Sequence, residues 1–280
     1  MAGTSSHSSL ESAFREICRG PNLQQLEKWE RYIHTTITVD GHSQSRAQFL
    51  DQLHNRTGAG DTREVRPDVI LVDVDAEGIA ARLIHRVISA GLPDQTSESQ
   101  EIVFAYFVDG RLTRWHSVRD VDGVTAHEQD PAPSQPSPGR SAPAAGPADL
   151  KSFYGAYIDS INAKTMARDF DRFCQPELRH NGRRLSIAEY IPLISDSQDA
   201  IRGLHFHIQQ LLVDEGAQRI AARLEFTGTP VREWGGVRPN GKPVNFHEHV
   251  IYQLEDSRIL NVWSTIELDV YREQMRQDAP

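Results

Sequence analysis

Five histidines, His180, His205, His207, His247 and His249, fall in the second half of a 280-residue chain that carries 12 in all. Imidazole titrates near neutrality and takes or gives a proton at little cost, which suits enolisation or ring closure. His247 and His249 flank Glu248 in a run of strand composition, Val244 to Glu255. On a strand the two imidazoles share one face and the carboxylate takes the other. The two His-x-His pairs raise a metal site as an alternative. They would have to meet across neighbouring strands, and the carboxylate spacing of a metal-binding barrel is missing, so no metal is expected. His205 and His207 read instead as the solvent edge of a strand.

The elements that must position these residues occur twice. The string IAARL stands at Ile79 to Leu83 and again at Ile220 to Leu224, 141 residues on, and Gly41 and Gly182 keep that spacing, as do Asp73 and Asp214. Further along, Phe107-Val-Asp-Gly-Arg-Leu aligns with Leu254-Glu-Asp-Ser-Arg-Ile at a spacing of 147, so copy two carries six extra residues in one loop. In this register copy one has Val39, Gln100 and Ile102 where copy two has His180, His247 and His249. Copy two is therefore expected to be the working copy. Copy one offers Asp40, His42, His85 and His116, the last aligned with Trp263. It is expected to have lost its site and to persist as a packing partner in an intramolecular pseudo-dimer, with a homo-oligomer left open. Glu248 aligns with Glu101, and this recurrence reads as a shared structural role, such as pairing with Arg223 or Arg82.

Length and composition agree with two domains, expected at residues 10–126 and 149–275. Between them, 127–148 interleaves proline with Ala, Ser and Gly and reads as a semi-extended linker. The N-terminus MAGTSSHSS has no apolar run for a signal peptide. No stretch approaches the ~18 apolar residues of a membrane span. Two cysteines, Cys18 and Cys174, each expected on a helix, fit a reducing compartment. The expectation is a soluble, cytoplasmic protein. A net charge of −9 without a basic stripe excludes nucleic acid as the expected partner.

In copy two, Asp149 is positioned as an N-cap, and Leu150, Phe153, Tyr154, Tyr157, Ile158 and Ile161 follow at helical spacing. A short helix carries Met166, Phe170 and Phe173. Ser186 with Glu189 forms a capping box for a third helix, matched by Ser45 and Gln48 in copy one. The texture then turns to period two over Leu204 to Asp214, Arg219 to Thr227, Val244 to Glu255 and Arg258 to Glu267, with a tight turn at 255–258 and its counterpart at 108–111. The expected class is α+β: two tandem cone-shaped domains, each of three helices packed on a curved antiparallel sheet.

Copy two also carries Phe153-Tyr154 with Ile161-Asn162-Ala163, then Arg179-His180-Asn181-Gly182, Ile220 to Leu224 and Phe226-Thr-Gly-Thr-Pro230. Pro239 to Val244, Phe246 to Tyr252 and Arg258 to Ser264 follow in order. This ordered set resembles the SnoaL-like polyketide cyclase family, within the nuclear transport factor 2-like fold. The resemblance covers nearly all of 150–268, and copy one follows the frame more loosely. It implies an apolar pocket inside the cone, without cofactor or metal, where side chains do acid-base work on a polyketide-like or terpenoid-like substrate. In the cyclases an aspartate next to the tryptophan of the last strand, helped by histidines, moves the protons of an aldol closure. Here the residue after Trp263 is Ser264, and the nearest downstream carboxylate is Glu267. Relatives with this fold also act as isomerases, dehydratases and epoxide hydrolases.

The expected catalytic set is accordingly His180 and His249 converging on the pocket, His247 near its mouth, and Glu267. Tyr190, Trp234, Trp263 and Ser264 are expected to bind substrate, with Trp234 on a longer loop, Pro230 to Pro243, that could act as a lid. The function expected is a cofactor-independent cyclase or isomerase of secondary metabolism. The alternatives are a carrier of a hydrophobic metabolite and a protein-interaction module.

Overall fold

The computed structural model describes residues 6–19, 29–54, 62–88, 96–120, 122 and 149–276, so the linker expected at 127–148 lies outside the described residues. The chain divides into two compact units, Met1–His127 and Glu128–Pro280. Each holds one six-stranded sheet. No helix among the described residues is long and apolar enough to cross a membrane.

In the first unit α1 (His7–Arg19) precedes β1 (Ile33–Val39), β2 (His42–Ser45), α2 (Arg46–His54), β3 (Thr62–Asp73), β4 (Gly78–Ile88), β5 (Thr96–Val108) and β6 (Arg111–Arg119). The second unit runs α3 (Leu150–Asn162), α4 (Met166–Phe173), β7 (Cys174–His180), β8 (Arg183–Ser186), α5 (Ile187–Ala200), β9 (Ile201–Asp214), β10 (Arg219–Pro230), β11 (Val244–Glu255), β12 (Arg258–Ile266) and α6 (Leu268–Arg276). The sheet orders β2-β1-β6-β5-β4-β3 and β8-β7-β12-β11-β10-β9 are the same path walked twice.

The sheets are mixed where a purely antiparallel one was expected. A short hairpin, β7–β8, separates the second helix from the third and joins the long strands by a parallel pairing of β7 with β12, as β1 does with β6. Its turn is Asn181-Gly182, at φ +46° and +83°, with Asp40-Gly41 at φ +47° and +82° in the first unit. A two-residue loop with both φ positive is the turn whose twist matches its strands. Cys174 opens β7 instead of sitting on a helix, because α4 ends at Phe173. Both cysteines are free.

The caps form as read. The Asp149 side chain accepts from the backbone N–H groups of Lys151 and Ser152, and Ser186 and Glu189 make the reciprocal capping box. In the first unit Ser45 N–H donates to Gln48 Oε1 and Gln48 N–H to Ser45 Oγ. The apolar stripe of α3, with Phe170, Phe173 and Tyr190, packs on Leu224, Phe226, Phe246, Val250 and Tyr252 of the sheet. The side chains of 224 and 226, of 246, 248, 250 and 252, and of 262, 264 and 266 thus share the inner face, since alternate residues of a strand point the same way.

The first unit fills the equivalent space differently. Trp115, aligned with Val262, stands in its core against Phe14 and Phe49, at ring-centroid distances of 6.0 and 5.6 Å. On the same face His85 Nε2 lies 2.7 Å from Glu101 Oε2, with the side chains 2% and 3% exposed. Removing one member of a buried pair strands the other. His85→Ala is expected to cost about 3 kcal/mol, read by urea unfolding of the full chain, and the double variant His85→Phe with Glu101→Leu far less than that. A single variant as stable as the wild type would show that the two groups are uncoupled.

Candidate active site

The second unit holds a cavity of about 100 Å³, open to solvent on one side, between α3, α5 and the inner face of the sheet. Most of its wall is apolar, including Ile158, Ile161, Ile194, Phe206, Leu224, Phe226, Val262 and Ile266. Into this wall project a few polar groups: His180, Glu248, Ser264, Ser197 and the hydroxyls of Tyr157, Tyr190 and Tyr252. Among the described residues, no lysine or arginine lines the cavity. An apolar concavity with a few convergent polar groups is the form of a small-molecule site.

Among the described residues, Glu248 is the only acidic one that lines the cavity. It stands on β11 opposite Leu224 of β10 and Ile266 of β12. Glu248 is half-buried at the cavity wall, and burial raises its pKa from 4.5 to about 7 against the opposing hydrogen bond from Ser264. Ser264 Oγ also lies 3.1 Å from His180 Nε2. Burial, helped by the Arg183 charge, lowers the His180 pKa to about 4. His180 is therefore neutral at ordinary pH. With Glu248 ionised, the hydrogens place themselves as one chain: His180 Nε2–H donates to Ser264 Oγ, and Ser264 O–H donates to the carboxylate.

Asn181, the first of the two positive-φ residues of the β7–β8 turn, fixes this chain. Its Oδ1 accepts from Ser264 N–H at 2.9 Å and its Nδ2 donates to Ser264 carbonyl oxygen at 3.0 Å. In the first unit Asp40 Oδ1 accepts from Ser117 N–H at 2.9 Å in the same way. Asn181→Ala forfeits both bonds and places alanine at a φ it resists, and is expected to cost about 2 kcal/mol in urea unfolding. A loss below about 0.5 kcal/mol would contradict this anchoring role.

Of the residues expected from sequence, His180, Tyr190, Trp234 and Ser264 line the cavity, and His249, His247, Glu267 and Trp263 do not. Strand parity is the reason: Glu248 and Ser264 face inward, so His247, His249 and Trp263 face the other way. His249 is 0% exposed, with its Nε2 2.6 Å from Arg223 Nη1. Arg223 reaches His249 and Gln209 on that face, whereas Glu248, opposite Leu224, points to the other. His247 Nδ1 is 2.8 Å from Glu267 Oε2. Burial pushes the Glu267 carboxyl up, but the His247 bonds and nearby Arg223 outweigh it and hold the pKa below its usual value. Trp263 is buried on that outer face. His205 and His207 are exposed on β9, the last strand in the sheet order, as expected.

Trp234 reaches the cavity from the elongated loop, packed edge-on to Tyr271 of α6 at 4.9 Å and against Phe246 at 5.8 Å. The loop is fastened to α6, a helix outside the three expected. Arg272 Nε donates to Gly235 carbonyl oxygen at 2.7 Å, and Asn240 Nδ2 to that of Gln274 at 2.9 Å.

The model of the SnoaL-like polyketide cyclase family matches residues 151–275. Among solved structures, a SnoaL-like polyketide cyclase from Agrobacterium tumefaciens is 33% identical over 45% of this chain and 96% of its own, with a TM-score of 0.42. TsrD from Streptomyces laurentii is 20% identical over 48% of this chain and 98% of its own, also with a TM-score of 0.42. No curated protein matches the chain. The family match spans the helices, strands and cavity of the second unit, and the first unit repeats the same strand order. The chain belongs to the SnoaL-like polyketide cyclase family, as two tandem copies of its α+β, nuclear transport factor 2-like domain.

Proposed function

We propose that the second unit is a cofactor-independent acid-base enzyme, a cyclase or isomerase of secondary metabolism, and that Glu248 moves the proton of a mostly apolar, polyketide-like or terpenoid-like substrate. The observation that carries this reading is a carboxyl inside an apolar cavity with its pKa raised to about 7. A group poised near the working pH is both available as a base and strong enough to act. Ser264 stands where the cyclases carry aspartate. The carboxylate comes instead from the neighbouring strand, and Ser264 links it to His180, which orients the chain as a neutral donor.

The internal duplication supports the same reading. Glu101 has the partner His85, whereas Glu248 has Phe226 at the matching position, and its carboxyl is left to the cavity. The test is deuterium exchange in D2O at carbon adjacent to a carbonyl, with a panel of apolar polyketone and enone mimics followed by NMR. Exchange well above the buffer rate is expected for members that fit the cavity. Tight binding with exchange at the buffer rate would overturn the enzyme reading in favour of a metabolite carrier.

A further inference from the structure

The hydroxyls of Tyr157 on α3 and Tyr190 on α5 meet at 3.0 Å, and both residues line the cavity that holds Glu248. Each phenol has one hydrogen to donate. In a pair joined by one bond, one hydroxyl gives its hydrogen to the other, and the second keeps its own. No further acceptor for either hydroxyl is found among the described residues. The rings are 0% and 3% exposed. Burial raises both pKa values far above neutrality, so both groups stay protonated, as donors. The Glu248 charge also acts on Tyr190, which places base and donor in one electrostatic neighbourhood.

We infer that the Tyr157–Tyr190 hydroxyl pair is the oxygen-binding subsite of the cavity, donating to the carbonyl oxygen of a neutral, enolisable ketone and to the enolate oxygen that follows. This rests on the reading of Glu248 as the base. As the Glu248 carboxylate forms its O–H bond, the C–H electron pair becomes the C=C bond of the enolate. The carbonyl π pair moves onto oxygen, where the free tyrosine hydrogen meets it. A donor fixed where charge develops stabilises the transition state more than the ground state. The proton then returns from Glu248 to carbon, giving an isomer. Alternatively the enolate carbon bonds to a second carbonyl of the same chain, and the resulting alkoxide takes that proton. The ligand class follows from the wall. A carboxylate or phosphate ester would bring negative charge beside Glu248 with no lining lysine or arginine to balance it, whereas a ketone brings none.

Substituted phenols serve as probes, because a phenolate presents an anionic oxygen on a planar apolar body and absorbs differently from the phenol. Binding of 4-nitrophenol and of nitrobenzene to the full chain is compared for wild type, Tyr157→Phe, Tyr190→Phe and Glu248→Gln. The expected result is that Glu248→Gln binds the phenolate at least as tightly as wild type. At least one tyrosine variant should lose about tenfold or more in phenolate affinity, with nitrobenzene affinity kept as proof of an intact cavity. Phenolate affinity unchanged in both tyrosine variants would overturn the inference. If a tyrosine variant fails to fold, the comparison within Glu248→Gln still decides, because equal affinity for 4-nitrophenolate and nitrobenzene overturns it too. This binding arm needs no turnover. Tyrosine-dependent phenolate binding without Glu248-dependent exchange would keep the subsite and remove the base, and exchange that survives both tyrosine variants would do the reverse.

Discussion

Glu248→Gln is expected to slow proton transfer in the second unit by about two to four orders of magnitude while leaving ligand affinity within a few-fold. Glutamine keeps the shape of the side chain and an oxygen for the Ser264 hydrogen bond, and loses only the capacity to take a proton. In the wild type the rate should rise with pH and reach half its plateau near pH 7, the pKa to which burial raises Glu248. His180, held near 4, adds no second limb above about pH 5. The same shift acts on stability with the opposite benefit. The folded state holds the Glu248 proton more tightly than the unfolded chain, so stability falls as pH rises from 4.5 to about 7 and the cost is fully present above that. Glu248→Gln should therefore be more stable than wild type at pH 8, by up to about 3 kcal/mol, with the difference closing below pH 4.5. An active, unshifted Glu248→Gln would exclude this carboxyl as the base.

Phe226→His should transplant the first unit's ion pair into the second. At the aligned position His85 lies 2.7 Å from Glu101. An imidazole at 226 would stabilise the Glu248 carboxylate, and the midpoint of the rate profile should move below about pH 6. A weaker and partly occupied base should also lower the plateau rate, by about tenfold or more. Phe226 is 2% exposed and packs on Phe206 and Phe246 at ring-centroid distances of 4.5 and 5.2 Å, so any substitution here loses packing. Phe226→Leu separates the two effects, because it disturbs packing without supplying a partner and should keep its midpoint near pH 7. The same midpoint in Phe226→His and Phe226→Leu would contradict the account.

Much of the scaffold was legible because it rests on local rules. The duplicated IAARL register, both capping boxes, the four long strands of the second sheet and the hairpin at 255–258 follow from spacing and turn chemistry. The β7–β8 hairpin was harder to read, because β7, Cys-Gln-Pro-Glu-Leu-Arg-His, is mostly polar and contains proline, a poor strand pattern. Its sharpest signal was Asn181-Gly182, a strong two-residue hairpin loop.

The residues that line the cavity differ from the expected set by one residue of strand parity. The histidines drew attention to the face of 247 and 249, although Phe246, Val250 and Tyr252 already marked the even-numbered face of β11 as the core side. The same parity puts Ser264 inward and Trp263 outward on β12. The recurrence of its counterpart Glu101 in the other copy points Glu248 to a structural role. That reasoning holds for Glu101, which has His85 as a partner. It does not carry over to Glu248 in the same form, because Phe226 stands at the position of His85, and a phenylalanine in an apolar strand gives no hint of that difference.

The most direct test is the titration of Glu248 itself, followed by carboxyl carbon-13 NMR of glutamate-labelled protein, with the resonance assigned by its absence in Glu248→Gln. One glutamate is expected to show a midpoint near pH 7, lost in that variant. A midpoint for Glu248 close to 4.5, the ordinary value for a glutamate carboxyl, would contradict it.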